Sequence, residues 1–103
     1  MTQLVVNPGA CGMTSIIQLS KIDKRLGRLK IDSDCEKVSN LSRSLGEVSL
    51  PDTLRPPLHS AVYKCATEHC LCASCPIPMS VIKAIEVEFG TALPRDVSVR
   101  FEL

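Results

Sequence analysis

Three N-terminal segments read as short strands, the third with apolar and polar residues in strict alternation, and that period returns at the C-terminus. Gln3 to Asn7 reads as a short strand, followed by a loop of turn residues, Pro8-Gly9-Ala10-Cys11-Gly12. Thr14 to Lys21 reads as a second strand with Ile17 and Leu19 on one face. The charged stretch Asp23-Lys24-Arg25, ending at Gly27, suits a turn. Arg28 to Asp32 then places Leu29 and Ile31 inward and Arg28, Lys30 and Asp32 outward. From Asp96 to Leu103 the alternation is the cleanest in the chain. Val97, Val99, Phe101 and Leu103 would face in, and Ser98, Arg100 and Glu102 out, which predicts a closing C-terminal strand.

Between these strands the period lengthens. Ser33-Asp34-Cys35-Glu36 has the form of a capping box, in which the Ser33 hydroxyl and the Glu36 carboxylate satisfy free N–H groups at a helix start. Val38, Leu41 and Leu45 follow at helical spacing, and Gly46 suits the stop. Pro51 to Pro57 reads as an irregular crossing, and Leu58 to Glu68 as a short helix presenting Leu58, Val62 and Ala66. Pro76 and Pro78 fit the opening of a last helix, where a missing N–H costs little. Its apolar stripe is Met79, Ile82, Ile85 and Phe89, and Gly90 ends it. Strands, helices, then a strand imply one α+β domain over residues 1–103, with two or three helices on one face of a small antiparallel sheet.

Composition narrows the class. Hydrophobic residues make up 45% of the chain and charged residues 22%, which suits a soluble globular domain. Aromatics are only 3%, so Val, Ile and Leu must build the core, and a bound metal would help to staple so small a domain. A formal net charge of +1 offers nucleic acid no electrostatic footprint. No apolar run has the length of a bilayer span and no leader pattern opens the chain, so a cytoplasmic protein is the expectation.

Cysteine changes the picture. There are 6 in 103 residues, and Cys70, Cys72 and Cys75 crowd together after His69. In a reducing compartment such usage points to metal binding or thiol chemistry rather than a disulfide framework. Pairing Ile17 with Ile31 and Leu19 with Leu29 in an antiparallel hairpin brings Cys11, which precedes the first strand, and Cys35, which follows the second, to the same end of the sheet. Cys35 and Cys75 also fall at helix openings, where free N–H groups and the dipole favour a thiolate. Zinc takes about four thiolate or imidazole ligands, and iron–sulfur clusters take thiolates. The candidate ligands are Cys11, Cys35, Cys70, Cys72 and Cys75, with His69 able to stand in for one. Cys65 reads as an apolar filler and His59 as a surface residue.

The order of Cys11, the hairpin, Cys35, and a late cysteine followed by Ala73-Ser74-Cys75-Pro76 and an apolar helix resembles the TSCPD domain family. Its layout is also similar to iron–sulfur scaffold proteins of the NifU and IscU type. The resemblance implies a metal site made by Cys11, Cys35, Cys75 and either Cys70 or Cys72. Ser33-Asp34 stands where that family carries glycines, and Ile77-Pro78 where it carries Asp-Gln. Cys75-Pro76-Ile77-Pro78, followed by a helix, resembles the Cys-Pro-x-Pro motif of the TusA and SirA sulfur carriers, which would make Cys75 a persulfide-bearing thiol.

No paired carboxylates, nucleophile elbow or ordered Cys–His–Asp set is present, so conventional catalysis is not expected. The leading expectation is a metal-binding protein, zinc or iron–sulfur, in a structural or scaffold role, with a protein partner in metal or sulfur handling. A persulfide carrier and an interaction module without a site stand as alternatives.

Overall fold

The computed structural model describes all residues 1–103. Its centre is an antiparallel sheet of β1 (Thr2–Val6), β2 (Ser15–Lys21), β3 (Leu26–Ser33) and β4 (Glu47–Ser49), in the spatial order β1-β2-β3-β4. Helices α1 (Glu36–Leu45), α2 (Ala61–Glu68) and α3 (Ile77–Glu88) cover one face, as the α+β reading requires.

The central hairpin forms in the expected register. Ile17 lies opposite Ile31 and Leu19 opposite Leu29, all on the covered face. Ile17 and Leu19 are wholly buried, and each such side chain contributes about 1.5–3 kcal/mol by leaving water. A one-residue slip would move this set into solvent, so burial holds the register. At the turn, Asp23 Oδ1 accepts from the N–H groups of Arg25 and Leu26, both at 2.8 Å. Those bonds hold its carboxyl below the ordinary carboxylate range.

The fourth strand is not the expected one. Gly46 ends α1 with φ +57°, and the chain enters β4 at once, pairing Glu47–Ser49 with Leu26–Arg28. This local return occupies the β3 edge. Residues 96–103 form no strand: they lie exposed and make no backbone hydrogen bond. The edge of β1 stays open, because β1 pairs with β2 alone.

Three other local expectations are corrected. No capping box forms at α1. Cys35, not Ser33, is the N-cap, and Ser33 Oγ instead accepts from Ser15 Oγ at 2.7 Å and from the Cys35 N–H at 3.1 Å. On α3 the buried face is Ile77, Ser80, Val81, Ala84 and Ile85, while Met79, Ile82 and Phe89 are only half-buried. Small Ser80 and Ala84 let the helix lie close on the sheet, and the larger residues flank that contact. Leu58 is exposed in a short 3-10 turn before α2, whereas Val62 and Ala66 are buried as expected.

The buried cluster contains 15 apolar residues, none aromatic. At the far end of α3, Glu88 accepts from Thr2 Oγ1 at 2.7 Å and from the Lys21 N–H at 3.0 Å. These bonds tie the helix C-terminus to the start of β1 and the end of β2. The N-terminus of α3 is thereby directed toward the opposite end of the sheet.

Candidate functional site

At that opposite end Val6, Ser15 and Ser33 are neighbours across three strands. Ser15 is buried, and its hydroxyl bond to Ser33 fastens the strand ends together. Both chain segments that leave this rim, the β1–β2 loop and the turn after β3, carry a cysteine. Cys11 lies in the loop between β1 and β2, which turns through Gly9 at φ +87° and Gly12 at φ +70°. A Gly12 N–H to Gly9 carbonyl bond of 2.9 Å tightens it. Cys35 follows β3 and opens α1, with no side chain satisfying the first-turn N–H groups. Cys72 and Cys75 belong to the loop that leads into α3, and the Cys75 N–H donates to the Cys72 carbonyl at 2.9 Å.

Cys75 is half-buried and its thiol is pushed up from the ordinary value, first by burial. A bond from the Ile77 N–H opposes the rise, and Cys35, Cys72 and Cys11 lie near enough that their thiolates, once formed, would add to it. Hairpin closure thus does bring Cys11 and Cys35 to one rim, and α3 delivers Cys75 to the same neighbourhood. Cys35 and Cys75 pack against the core, whereas Cys11 and Cys72 are exposed. The thiols share surroundings without forming a coordination shell: no group of three or more His, Cys, Asp and Glu side chains is arranged to hold a metal ion.

Cys70 has a different task. It sits just past α2 with φ +56°, the sole non-glycine residue in the left-handed region. Its N–H donates to the Thr67 carbonyl at 3.1 Å, and the Leu71 N–H donates to the Ala66 carbonyl at 3.0 Å. That pair of bonds is a Schellman stop, normally built on glycine. Cys70 is not among the groups that raise Cys75. His69 is the C-cap of the same helix, and its N–H donates to the Cys65 carbonyl at 3.1 Å. Cys65 is buried between α1 and α2, with its sulfur 3.9 Å from the Leu41 carbonyl, as a core filler should be. His59 is exposed.

One buried charge was not legible in the sequence. Asp52, in the Pro51–Pro57 crossing, is 2% exposed. It accepts from Ser60 Oγ at 2.7 Å, from the Ala61 N–H at 2.8 Å, from the Val62 N–H at 3.3 Å and from Arg55 Nη1 at 3.3 Å. Burial alone would raise its pKa; those donors outweigh burial and hold the carboxyl below the ordinary range. It is a cap for α2 supplied from outside the helix. Its only sequence signal is an acidic residue between prolines, shortly before Ser60-Ala61. Asp52 also lines a groove of about 210 Å³ with Tyr63, Met79 and Lys83, smaller than the ~300–1,000 Å³ of ordinary ligand pockets.

The fold and its thiol-bearing rim define a small α+β protein with cysteines gathered from three segments. The chain belongs to DUF6951, a family of unknown function, which it matches over residues 2–101. No curated protein and no solved structure matches it. No helix is long and apolar enough to cross a membrane.

Proposed function

We propose that this protein binds a metal, as zinc or an iron–sulfur cluster, through Cys11, Cys35, Cys72 and Cys75, in a structural or scaffold role. The observation that carries the reading is placement: Cys11 and Cys35 leave the same end of the sheet, and half-buried Cys75, in one turn with Cys72, lies near both. Thiols gathered in one place are costly to ionise together, and a bound cation relieves that cost as ligation replaces the thiol protons. The donor set is soft, as zinc and iron–sulfur sites require. Cys11 and Cys72 stand on exposed loops, and the Cys11 loop turns through two glycines, so the closing movements fall on loops rather than on the sheet. Cys72 is assigned in place of Cys70 because its carbonyl accepts from the Cys75 N–H, which keeps the two in one turn, whereas Cys70 lies at the end of α2.

The persulfide-carrier alternative requires a thiolate at Cys75 near neutral pH. Its half-buried position and neighbouring thiols raise that sulfur instead.

The test is anaerobic purification followed by metal analysis and visible absorbance. One zinc per chain without colour, or iron and sulfide with a brown chromophore, is the expected result. Cys11→Ser and Cys75→Ser should lose the metal, while Cys70→Ser should keep it. Metal-free protein that gains no metal on anaerobic reconstitution, with Cys75 alone reactive toward alkylating reagents, would overturn the proposal.

A further inference from the structure

The open edge of β1 and the unpaired C-terminal segment are complementary. β1 gives half of its backbone groups to β2, and no other backbone or side-chain group bonds to the main chain of Gln3–Val6. An edge of this kind is a template for another strand. Residues 96–103 have the period of a half-buried strand, yet they make no backbone hydrogen bond and bury none of their apolar side chains. Val97 is 51% exposed, Val99 90%, Phe101 87% and Leu103 118%. Four alternating apolar residues held in water are costly in a monomer. Val97, Val99 and Phe101 lie within the stretch matched to the family, residues 2–101.

We propose that residues 96–103 of one copy add as a fifth strand to the β1 edge of a second copy, so that the chain forms a strand-exchange dimer. The occupant is argued from the chain itself, which carries both an unpaired strand and an unpaired edge. Reciprocal exchange satisfies both copies and closes a two-fold dimer, because each tail and each β1 edge is then used once. Added strand residues Val97, Val99, Phe101 and Leu103 continue the face of Leu4 and Val6, where Leu4 is only half-buried. Ser98, Arg100 and Glu102 then join the solvent face beside Gln3. Lys21 and Phe89, whose ammonium and ring centroid lie 5.3 Å apart, mark where the chain leaves α3.

The experiment is sedimentation of the full chain under a thiol reductant, with and without chelator, from micromolar to millimolar concentration. Hydrogen exchange is read in parallel. A species of twice the chain mass is expected in both conditions, with amides of Gln3–Val6 and of residues 97–102 protected together. Deleting residues 96–103 should leave a folded monomer and expose both sets of amides at once. Phe101→Asp should raise the dimer Kd at least about tenfold. Val99→Pro should act in the same direction without touching the fold, since the tail's Arg100–Glu102 bond lies within the tail itself. A full chain that stays monomeric throughout, or a dimer that survives the deletion, would overturn the inference. Because the readout is mass and protection, it stands or falls independently of metal.

Discussion

Asp52→Ala tests whether one buried carboxylate organises the crossing between β4 and α2. The aspartate holds the Ser60 hydroxyl at 2.7 Å and the Ala61 and Val62 N–H groups at 2.8 and 3.3 Å. Ser60 and Val62 are each 1% exposed, so water entering from the adjoining groove replaces the lost acceptor only in part. Each buried donor left unpaired costs about 1–3 kcal/mol. Arg55 lies with its side chain 49% exposed, and that ion pair adds at most about 1 kcal/mol. Together the substitution should destabilise by roughly 3–5 kcal/mol, a large share of the ~5–15 kcal/mol expected for a chain of this size. Asp52→Asn keeps the shape and one acceptor oxygen but turns an amide NH2 toward other donors, and should cost about 1–3 kcal/mol.

The pH dependence gives a second reading of the same group. Its folded pKa lies below the ordinary value. The stabilisation is therefore complete well above the unfolded pKa near 3.9, and is lost as pH falls through that value and then through the lower folded one. Urea titrations at neutral pH and at successively lower pH would measure this. The gap between wild type and Asp52→Asn should narrow toward acid. A neutral-pH loss below about 1 kcal/mol for Asp52→Ala, or a gap that widens toward acid, would refute the reasoning.

Two further substitutions separate the cysteines by role. Cys70→Gly relieves a left-handed residue and should stabilise the protein by about 1 kcal/mol in urea unfolding while leaving metal content unchanged; destabilisation or loss of metal would return Cys70 to the site. Cys65→Ser places a hydroxyl in an apolar contact between α1 and α2 and should cost about 1–2 kcal/mol, again without changing metal content.

What could be read from the chain alone was whatever depended on local period or on residues with one dominant geometry. The alternation of Ile17, Leu19, Leu29 and Ile31 determined the central hairpin and its register, because a slip would expose all four. Gly46 and Gly90 marked real helix ends, both with positive φ. The gathering of Cys11 and Cys35 at one rim followed from the hairpin alone. Tertiary structure decided the rest. The tail has the pattern of a strand, but pattern does not supply a partner, and β4 reached the β3 edge by a shorter route. The capping box failed because β3 continued to Ser33, whose hydroxyl was claimed across the sheet by Ser15. Cys70 and Cys72 differ by two positions, and only the path of the backbone out of α2 made one a helix terminator and left the other near Cys75. Asp52 is polar in a proline-rich stretch, and nothing local announces that α2 will fold back to be capped by it. Period and steric preference act over a few residues and are written in the chain; edges, buried charges and shared sulfur neighbourhoods arise only when distant segments compete for the same space.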